Sequence, residues 1–255
     1  NNRLGWFAQP EWAMVQRYLE QFKQLGVAQG KRRLVFIGMG GSINTVKVLN
    51  SLLGDPERPT VYAFDSLDPA AAEFIASLGE EALVVMASKS ATTDEVIALA
   101  DVLRGHFAER WTDHFLLLTD PGNEGKLAQK APAYQGIASY PIQVNRRDDV
   151  GGRFTAPHTG IFFLPLYFLA GQDIERVRAL YEAYLVQIEP VVLAVLAQAE
   201  ESVQHNDQRF AVMLDEPLAS AMGTWVNQLF HESFGNKKAG FYPVSLVASR
   251  PEAVP

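Results

Sequence analysis

The stretch RLVFIGMGGS, residues 33–42, sets the fold class of this chain. Its apolar first half, RLVFIG, is typical of a short strand that is buried on both faces, and glycines follow it directly. The next segment, SINTVKVLNSLLG at 42–54, opens with a serine suited to cap a helix and closes with glycine, so it predicts a helix. A buried strand that passes through a glycine turn into a helix is the beginning of an α/β unit.

The same alternation continues on both sides of this stretch. A helix is predicted over 10–25, and later segments predict strands at 60–65, 82–88, 114–120 and 138–144 and helices at 69–79, 93–107 and 125–131. Five strands that alternate with four helices indicate a parallel sheet covered on both faces. We therefore expect an α/β fold, a three-layer αβα sandwich with a five-stranded parallel sheet.

The remainder of the chain predicts helices and then the start of a second α/β unit. Helical signal dominates from about 158 to 205, a strand is predicted at 209–214, and a helix at 218–233. We divide the chain into a helix plus first α/β domain, a helical connection, and a second unit that is cut short: 1–155, 156–205 and 206–255. The chain begins with Asn and ends at RPEAVP soon after a structured segment, which predicts a piece of a longer protein.

Composition argues against several classes of protein. The 255 residues carry a net charge of −7 and no Lys/Arg block, so we expect no nucleic-acid partner. Without cysteine there are no disulfides and no thiolate metal sites. The longest apolar run, IFFLPLYFLAG at 161–171, is too short to span a bilayer and contains Pro165, and nothing resembles a signal peptide. We expect a cytoplasmic protein with no membrane partner.

Two predicted strand ends carry polar groups, GMGGS at 38–42 and SKSATT at 88–93. In open α/β sheets, ligands bind beyond the carboxyl ends of the strands. Glycines permit close backbone approach, and the amides near Ser42 would lie at a helix N-terminus, which favours anions. The hydroxyls of the second segment can donate to an oxyanion, and Lys89 can supply charge. On neighbouring strands, the two loops would form a phosphate cradle.

The type of phosphate can be inferred from motifs that these loops lack. GMGGS has no third glycine at the spacing of a dinucleotide fingerprint, and no GK[ST] follows it as in a P-loop. The absence of these motifs therefore favours a phosphate monoester over a nucleotide as the ligand. The plainer alternative is an ordinary glycine turn and ordinary Ser/Thr helix caps, which are common whatever an α/β protein binds.

Four segments, in order, resemble motifs of the phosphoglucose isomerase family, which is built on the sugar isomerase (SIS) domain. They are its first strand and glycine turn, its phosphate loop, its VGGRFS turn and its helix ending in ESxGK: FIGMGGS (36–42), SKSATTDEV (88–96), VGGRFTAP (150–157) and NQLFHESFGNKK (227–238). The resemblance spans residues from about 33 to 238. It implies two SIS-like units and interconversion of an aldose and a ketose 6-phosphate.

The resemblance also implies roles for single residues. Glu232 falls on the catalytic base, which moves a proton between C2 and C1 through a cis-enediol, and Arg153 on the arginine that stabilises the enediolate. The backbone would approach the substrate at Gly41 and Gly152. The phosphate would be bound by Ser42, Ser88, Lys89, Ser90 and Thr93. No cofactor and no metal are implied, and the partners are a small-molecule sugar phosphate and a second copy in a homodimer.

The chain departs from the family pattern in several places. Ile43-Asn44-Thr45 replaces a pair of small residues after GGS, Val96 stands where a threonine usually ends the phosphate loop, and Asn236 stands where ESxGK has lysine. The ring-opening histidine and a late lysine of the family lie beyond the matched segments, so we expect this chain alone to lack a complete active site. If the family resemblance is set aside, the plain interpretation of Glu232 is a solvated carboxylate at a helix end. The plain interpretation of Arg153 is an ion-pair partner of Asp148 or Asp149.

Two alternatives to a glucose-6-phosphate isomerase stay open at this point. The altered pocket residues suit a related 6-substituted sugar such as a 6-sulfo sugar, with the same acid–base chemistry. A non-catalytic SIS module that senses a sugar phosphate is the other alternative. Such sensors usually lack the paired arginine and glutamate, whereas both Arg153 and Glu232 are present here.

Overall fold

Five parallel strands form the sheet of the first half of the chain. They are β1 (Arg33–Ile37), β2 (Val61–Phe64), β3 (Ala82–Ala87), β4 (Phe115–Thr119) and β5 (Ala138–Pro141), in the spatial order β2-β1-β3-β4-β5. These statements refer to the part of the chain that our computed structural model describes: residue 5 and residues 8–151, 157–204, 209–214, 218–234 and 244–249. The predicted α/β class with a five-stranded parallel sheet is confirmed.

Six helices accompany this sheet: α1 (Trp12–Lys23), α2 (Gly41–Leu53), α3 (Pro69–Ser77), α4 (Asp94–Phe107), α5 (Lys126–Lys130) and α6 (Gly160–Leu169). One face of the sheet packs against α3, α4 and α5 in a single apolar cluster that includes Val35, Met86 and Leu117. Alternate strand residues point to the other face. There α6 packs against β1 and β2 and also contacts α1 and α2. The sheet is therefore covered on both faces, as predicted.

The centre of the sheet is apolar apart from Thr119 at the end of β4. Every residue of β3 and β4 is buried, as expected for parallel strands that have helices on both faces. Each buried methylene group contributes about 0.8 kcal/mol to folding, so this sandwich supplies a rigid scaffold for the loops at its strand ends. The predicted apolar run at 161–171 forms the buried helix α6, which accommodates Pro165 within it.

The predicted fifth strand is shorter than expected. It ends at Pro141 instead of residue 144, because the chain then pairs with a different partner. Gln143 forms an antiparallel bridge with Thr159, and the backbone amide of Val144 donates to the carbonyl of His158. The amide of Ile142 still donates to the carbonyl of Thr119 in β4, and beyond it the segment is held by hydrogen bonds to the residues at the start of α6.

A second compact unit follows the first, which comprises residues 1–172; the second comprises residues 173–255. It contains α7 (Ile174–Gln204), β6 (Arg209–Leu214), α8 (Leu218–Phe234) and β7 (Val244–Ser249). The strands β6 and β7 pair in parallel, and α8 contacts both, as in a β-α-β unit. The three-part division of the chain that we predicted stays a prediction. Among the described residues, no helix has the length and apolar character needed to cross a membrane.

Candidate anion-binding site

The order of the strands reverses between β1 and β3. After β1 the chain moves outward to β2, whereas after β3 it moves in the opposite direction to β4. Such a switch point leaves a crevice beyond the carboxyl ends of the two central strands, where α/β proteins bind ligands. The strands pair directly, with Ile37 opposite Met86, so GMGGS and SKSATT follow neighbouring strands as predicted. A Cβ atom placed on Gly38 would lie 3.8 Å from that of Ala87, so the two strand ends touch.

The GMGGS turn places a helix start at this crevice. Gly40 has φ 56° and ψ −127°, a conformation that glycine adopts without strain. The helix α2 begins at Gly41, so Ser42 lies in its first turn, and the prediction that Ser42 caps this helix is wrong. The N-cap residue Gly40 makes no side-chain cap to the first turn of α2. The amide of Ser42 donates to the carbonyl of Met39 at 3.3 Å, and the other N–H groups of the first turn lack acceptors within the helix and can bind an anion.

The SKSATT loop starts the second helix at the crevice. Thr93 is the N-cap residue of α4, but its side chain does not cap the helix. Its hydroxyl instead hydrogen-bonds that of the buried Ser88, with 2.8 Å between Oγ and Oγ1. The plain explanation that these residues are ordinary helix caps therefore does not describe this loop. The amide groups at the start of α4 have no side-chain cap, as in α2.

The middle of the SKSATT loop has an unusual backbone and an exposed hydroxyl. Ala91 is buried and has a positive φ of 59°, which non-glycine residues rarely adopt. Ser90 is exposed, and its Oγ accepts hydrogen bonds from the amide of Thr92 at 3.3 Å and from its hydroxyl at 2.9 Å. Because Ser90 Oγ accepts both bonds, its hydroxyl still has a proton to donate.

Lys89 contacts protein groups on the far side of the loop. Its ammonium lies 3.2 Å from Oδ2 of Asp120 and donates to the backbone carbonyl of Val150. Its side chain is 16% exposed, so this ion pair is largely shielded from water. The charge of Lys89 therefore has a carboxylate partner within the protein. The sequence instead predicts that this charge binds the phosphate.

Sequence reasoning missed Asp120 and Gln143, two buried polar residues that follow β4 and β5. Gln143 donates from Nε2 to Oδ1 of Asp120 at 2.8 Å, and its Oε1 accepts from the backbone amide of Val150 at 3.1 Å. The signal was present, because the strand-end rule that identified Ser88 also applies to these two strands. Polar groups at this edge of the sheet therefore extend beyond the two loops to the ends of β4 and β5.

Two of the departures from the family pattern lie in the core, and the third, Asn236, lies outside the described residues. Val96 is 1% exposed and belongs to the apolar cluster beneath α4. Ile43, Asn44 and Thr45 are also buried, and the hydroxyl of Thr45 donates to the carbonyl of Gly41 within α2. Both differences concern how α2 and α4 pack, so they give no reason to expect an altered anion pocket.

For three predicted site residues, the structure describes no contact with the GMGGS and SKSATT loops. Gly152 and Arg153 lie outside the described residues. Glu232 is helical, in the last turn of α8 in the second unit. Their roles stay predictions, as do those of Gly41, Ser42, Ser88, Lys89, Ser90 and Thr93.

Comparisons with known proteins agree with the sequence motifs. A glucose-6-phosphate isomerase of Campylobacter jejuni is 27% identical over an aligned length of 234, gaps included, which covers 86% of this chain and 55% of that relative. One from Alkaliphilus metalliredigens is 28% identical over an aligned length of 275, gaps included, which covers 96% of this chain and 58% of the relative. The chain thus spans about half the length of the curated relatives it matches. No protein-family model matches it.

Solved structures share the fold at lower sequence identity. A hypothetical protein of Thermus thermophilus has a TM-score of 0.63 and 22% identity, and the likeness covers 99% of this chain and 61% of that one. A glucose-6-phosphate isomerase of Chlamydia trachomatis has a TM-score of 0.56 and 20% identity over 91% of this chain and 48% of its own. The chain is therefore related in sequence to the phosphoglucose isomerase family, and its first unit has the SIS-domain fold.

Proposed function

We propose that this protein interconverts glucose 6-phosphate and fructose 6-phosphate by proton transfer through a cis-enediol. The observation that carries the proposal is the pair of helix starts, α2 and α4, that flank the switch point without side-chain caps. Two such N-termini offer N–H groups and positive helix dipoles to one tetrahedral oxyanion. Relatives named glucose-6-phosphate isomerase support the phosphate of a sugar as that oxyanion.

In this proposal the first unit binds the 6-phosphate. Ser88 and Thr93 donate hydroxyl hydrogen bonds to it, Ser90 donates from the exposed side of the loop, and Ser42 donates from α2. Hydrogen bonds between a neutral donor and a charged acceptor contribute about 1.5–3 kcal/mol each. This phosphate handle holds the substrate while the chemistry takes place at the other end of the sugar.

The proton transfer is assigned to Glu232 and Arg153. Glu232 takes the proton from C2 of the open-chain aldose while O1 gains a proton, which gives the cis-enediol. It then returns a proton to C1 while the O2 hydroxyl loses its proton, so the carbonyl moves from C1 to C2. A carboxylate held beside these carbons supplies the base that water at neutral pH cannot. The guanidinium of Arg153 stabilises the negative oxygen that develops in the enediolate, and the backbone at Gly41 and Gly152 lies against the substrate. A homodimer is part of the proposal.

Replacing Glu232 with Gln tests the proposal most specifically. The substitution keeps the shape and removes the base, so turnover of fructose 6-phosphate should fall by at least a factor of about 100, while binding of the sugar phosphate persists. A coupled assay for glucose 6-phosphate measures turnover, and calorimetry measures binding.

The matched control is Glu189→Gln, a substitution in α7 that should leave turnover unchanged. Normal turnover in Glu232→Gln would contradict the assignment of the base. In a protein that also carries the ring-opening histidine, binding without turnover would favour the sensor module instead. Preference for a 6-sulfo sugar over the 6-phosphate would favour the second enzyme hypothesis, for which the core positions of Val96 and Ile43 offer no support.

A further inference from the structure

A continuous buried network joins the SKSATT loop to residue 150. It runs from the Lys89 ammonium through the Asp120 carboxylate to the Gln143 amide and ends at the amide N–H of Val150. Lys89 also donates directly to the Val150 carbonyl, so both polar groups of that backbone position are held. Asp120 is 4% exposed and Gln143 is fully buried, so water competes little for these bonds.

The other end of Lys89 is fixed as well. Its backbone carbonyl accepts three hydrogen bonds, from the hydroxyl of Thr119 at 3.0 Å, the amide of Asp120 at 3.1 Å and the side chain of Asn123 at 2.8 Å. A lysine tethered at both its carbonyl and its ammonium has little freedom to swing toward a ligand. Its length instead spans the distance between the loop and residue 150.

Residue 150 matters because of its position in the chain. Val150 and Gly151 directly precede Gly152 and Arg153 in the chain. In the proposed function, the backbone of Gly152 contacts the substrate and Arg153 stabilises the enediolate. We infer that Lys89, with Asp120 and Gln143, is a positioning residue. It fixes the position of Val150, and so of the chain just before residues 152 and 153, relative to the SKSATT loop. It does not itself bind the anion. This inference rests on the proposed function for the roles of Gly152 and Arg153.

The contact itself can be tested by amide hydrogen exchange of the full 255-residue chain. Lys89→Met keeps the length of the side chain and removes the ammonium, so the network loses the donor that Asp120 and the Val150 carbonyl share. We expect the Val150 amide to exchange about tenfold faster, with no change at the Val84 amide in the sheet. Lys89→Arg, which retains a charged donor, should restore slow exchange at Val150.

Lys130→Met is the matched control. The Lys130 ammonium donates to the Thr92 carbonyl of the same loop at 2.6 Å and pairs with Asp94, and it is not a member of the network that holds Val150. Its substitution should leave exchange at Val150 unchanged. Equal exchange at Val150 in Lys89→Met and the unsubstituted chain would overturn the inference.

Titration with inorganic phosphate and steady-state kinetics separate positioning from direct binding. Lys89→Met should bind phosphate as the unsubstituted chain does, and in the active protein it should lower kcat by about tenfold with little change in KM. A tenfold loss of phosphate affinity, with exchange at Val150 unchanged, would make Lys89 an anion ligand and overturn the inference. If the unsubstituted chain binds no phosphate, the proposed function fails, whereas the exchange result still decides whether Lys89 holds Val150.

Discussion

At the scale of single residues, the hydrogen bond between Ser88 and Thr93 limits what each hydroxyl can offer an anion. A hydroxyl has one proton, so in this 2.8 Å pair one residue donates to the other and only one proton remains free. For both to donate to a phosphate, their mutual bond must break. Anion binding at this loop therefore replaces a bond between two neutral groups with two stronger bonds to a charge.

Val96 provides a prediction at the same scale, because the family usually has threonine there. Its side chain is 1% exposed in the apolar cluster beneath α4. Val96→Thr should lower the free energy of unfolding by about 1–3 kcal/mol, since the hydroxyl enters an apolar core. Sugar-phosphate affinity should stay the same. Urea denaturation and calorimetry measure the two quantities.

Glu95→Gln, at the exposed neighbouring position, is the control and should leave the unfolding free energy nearly unchanged. A Val96→Thr protein with altered affinity and undiminished stability would show that this position lines the pocket after all.

At the scale of elements, much of the first unit follows from periodicity and strand-end chemistry. Buried apolar runs such as RLVFI and ALVVMA are typical of strands between two helical layers, and their parallel arrangement brings GMGGS and SKSATT to one edge. The early end of β5 could not be predicted, because it depends on pairing between Gln143 and Thr159, which lie far apart in the chain. Similar long-range contacts decide where the Lys89 ammonium points.

Helix starts illustrate a second limit of local reasoning. A serine, threonine or aspartate before a helix predicts a cap, and Asp68 does cap α3 by accepting from the amide of Ala70. Ser42 and Thr93 also have side-chain oxygens but do not cap, because the glycine turn shifts one helix start and Ser88 binds the other hydroxyl. Only tertiary contacts distinguish a capped helix start from one that is open to a ligand.

At the scale of the whole first unit, the opposite edge of the sheet carries a buried basic cluster. His114, just before β4, is 2% exposed, and its Nδ1 lies 3.1 Å from both the Lys31 ammonium and the Ala82 carbonyl. Burial lowers the pKa of His114, and the charge of Lys31 lowers it further. Burial lowers the pKa of Lys31 too, and Glu80 opposes this effect. This edge tolerates one cation better than two.

The stability of this unit should therefore fall in mild acid. Because the pKa of His114 is lower in the folded state, the unfolded chain takes up a proton first as pH falls below about 6.5. Above that pH the residue is neutral in both states and has no effect. Below it the unfolding free energy should drop by at most about 1.4 kcal/mol per pH unit until the folded state is also protonated.

Urea denaturation between neutral pH and pH 5 checks this dependence, with His114→Gln expected to flatten it. The exposed His106 is the control, and His106→Gln should retain the full dependence. Identical pH profiles for His114→Gln and the unsubstituted chain would rule out His114 as the source.

The central claim is that GMGGS and SKSATT together bind the phosphate of a sugar. Calorimetric titration of the chain with fructose 6-phosphate and with fructose tests it most directly. We predict that only the phosphate ester binds, and that Ser88→Ala with Thr93→Val weakens it by at least about tenfold, whereas Ser77→Ala in α3 does not. Equal binding of fructose and its phosphate, or full affinity in the double variant, would contradict the account.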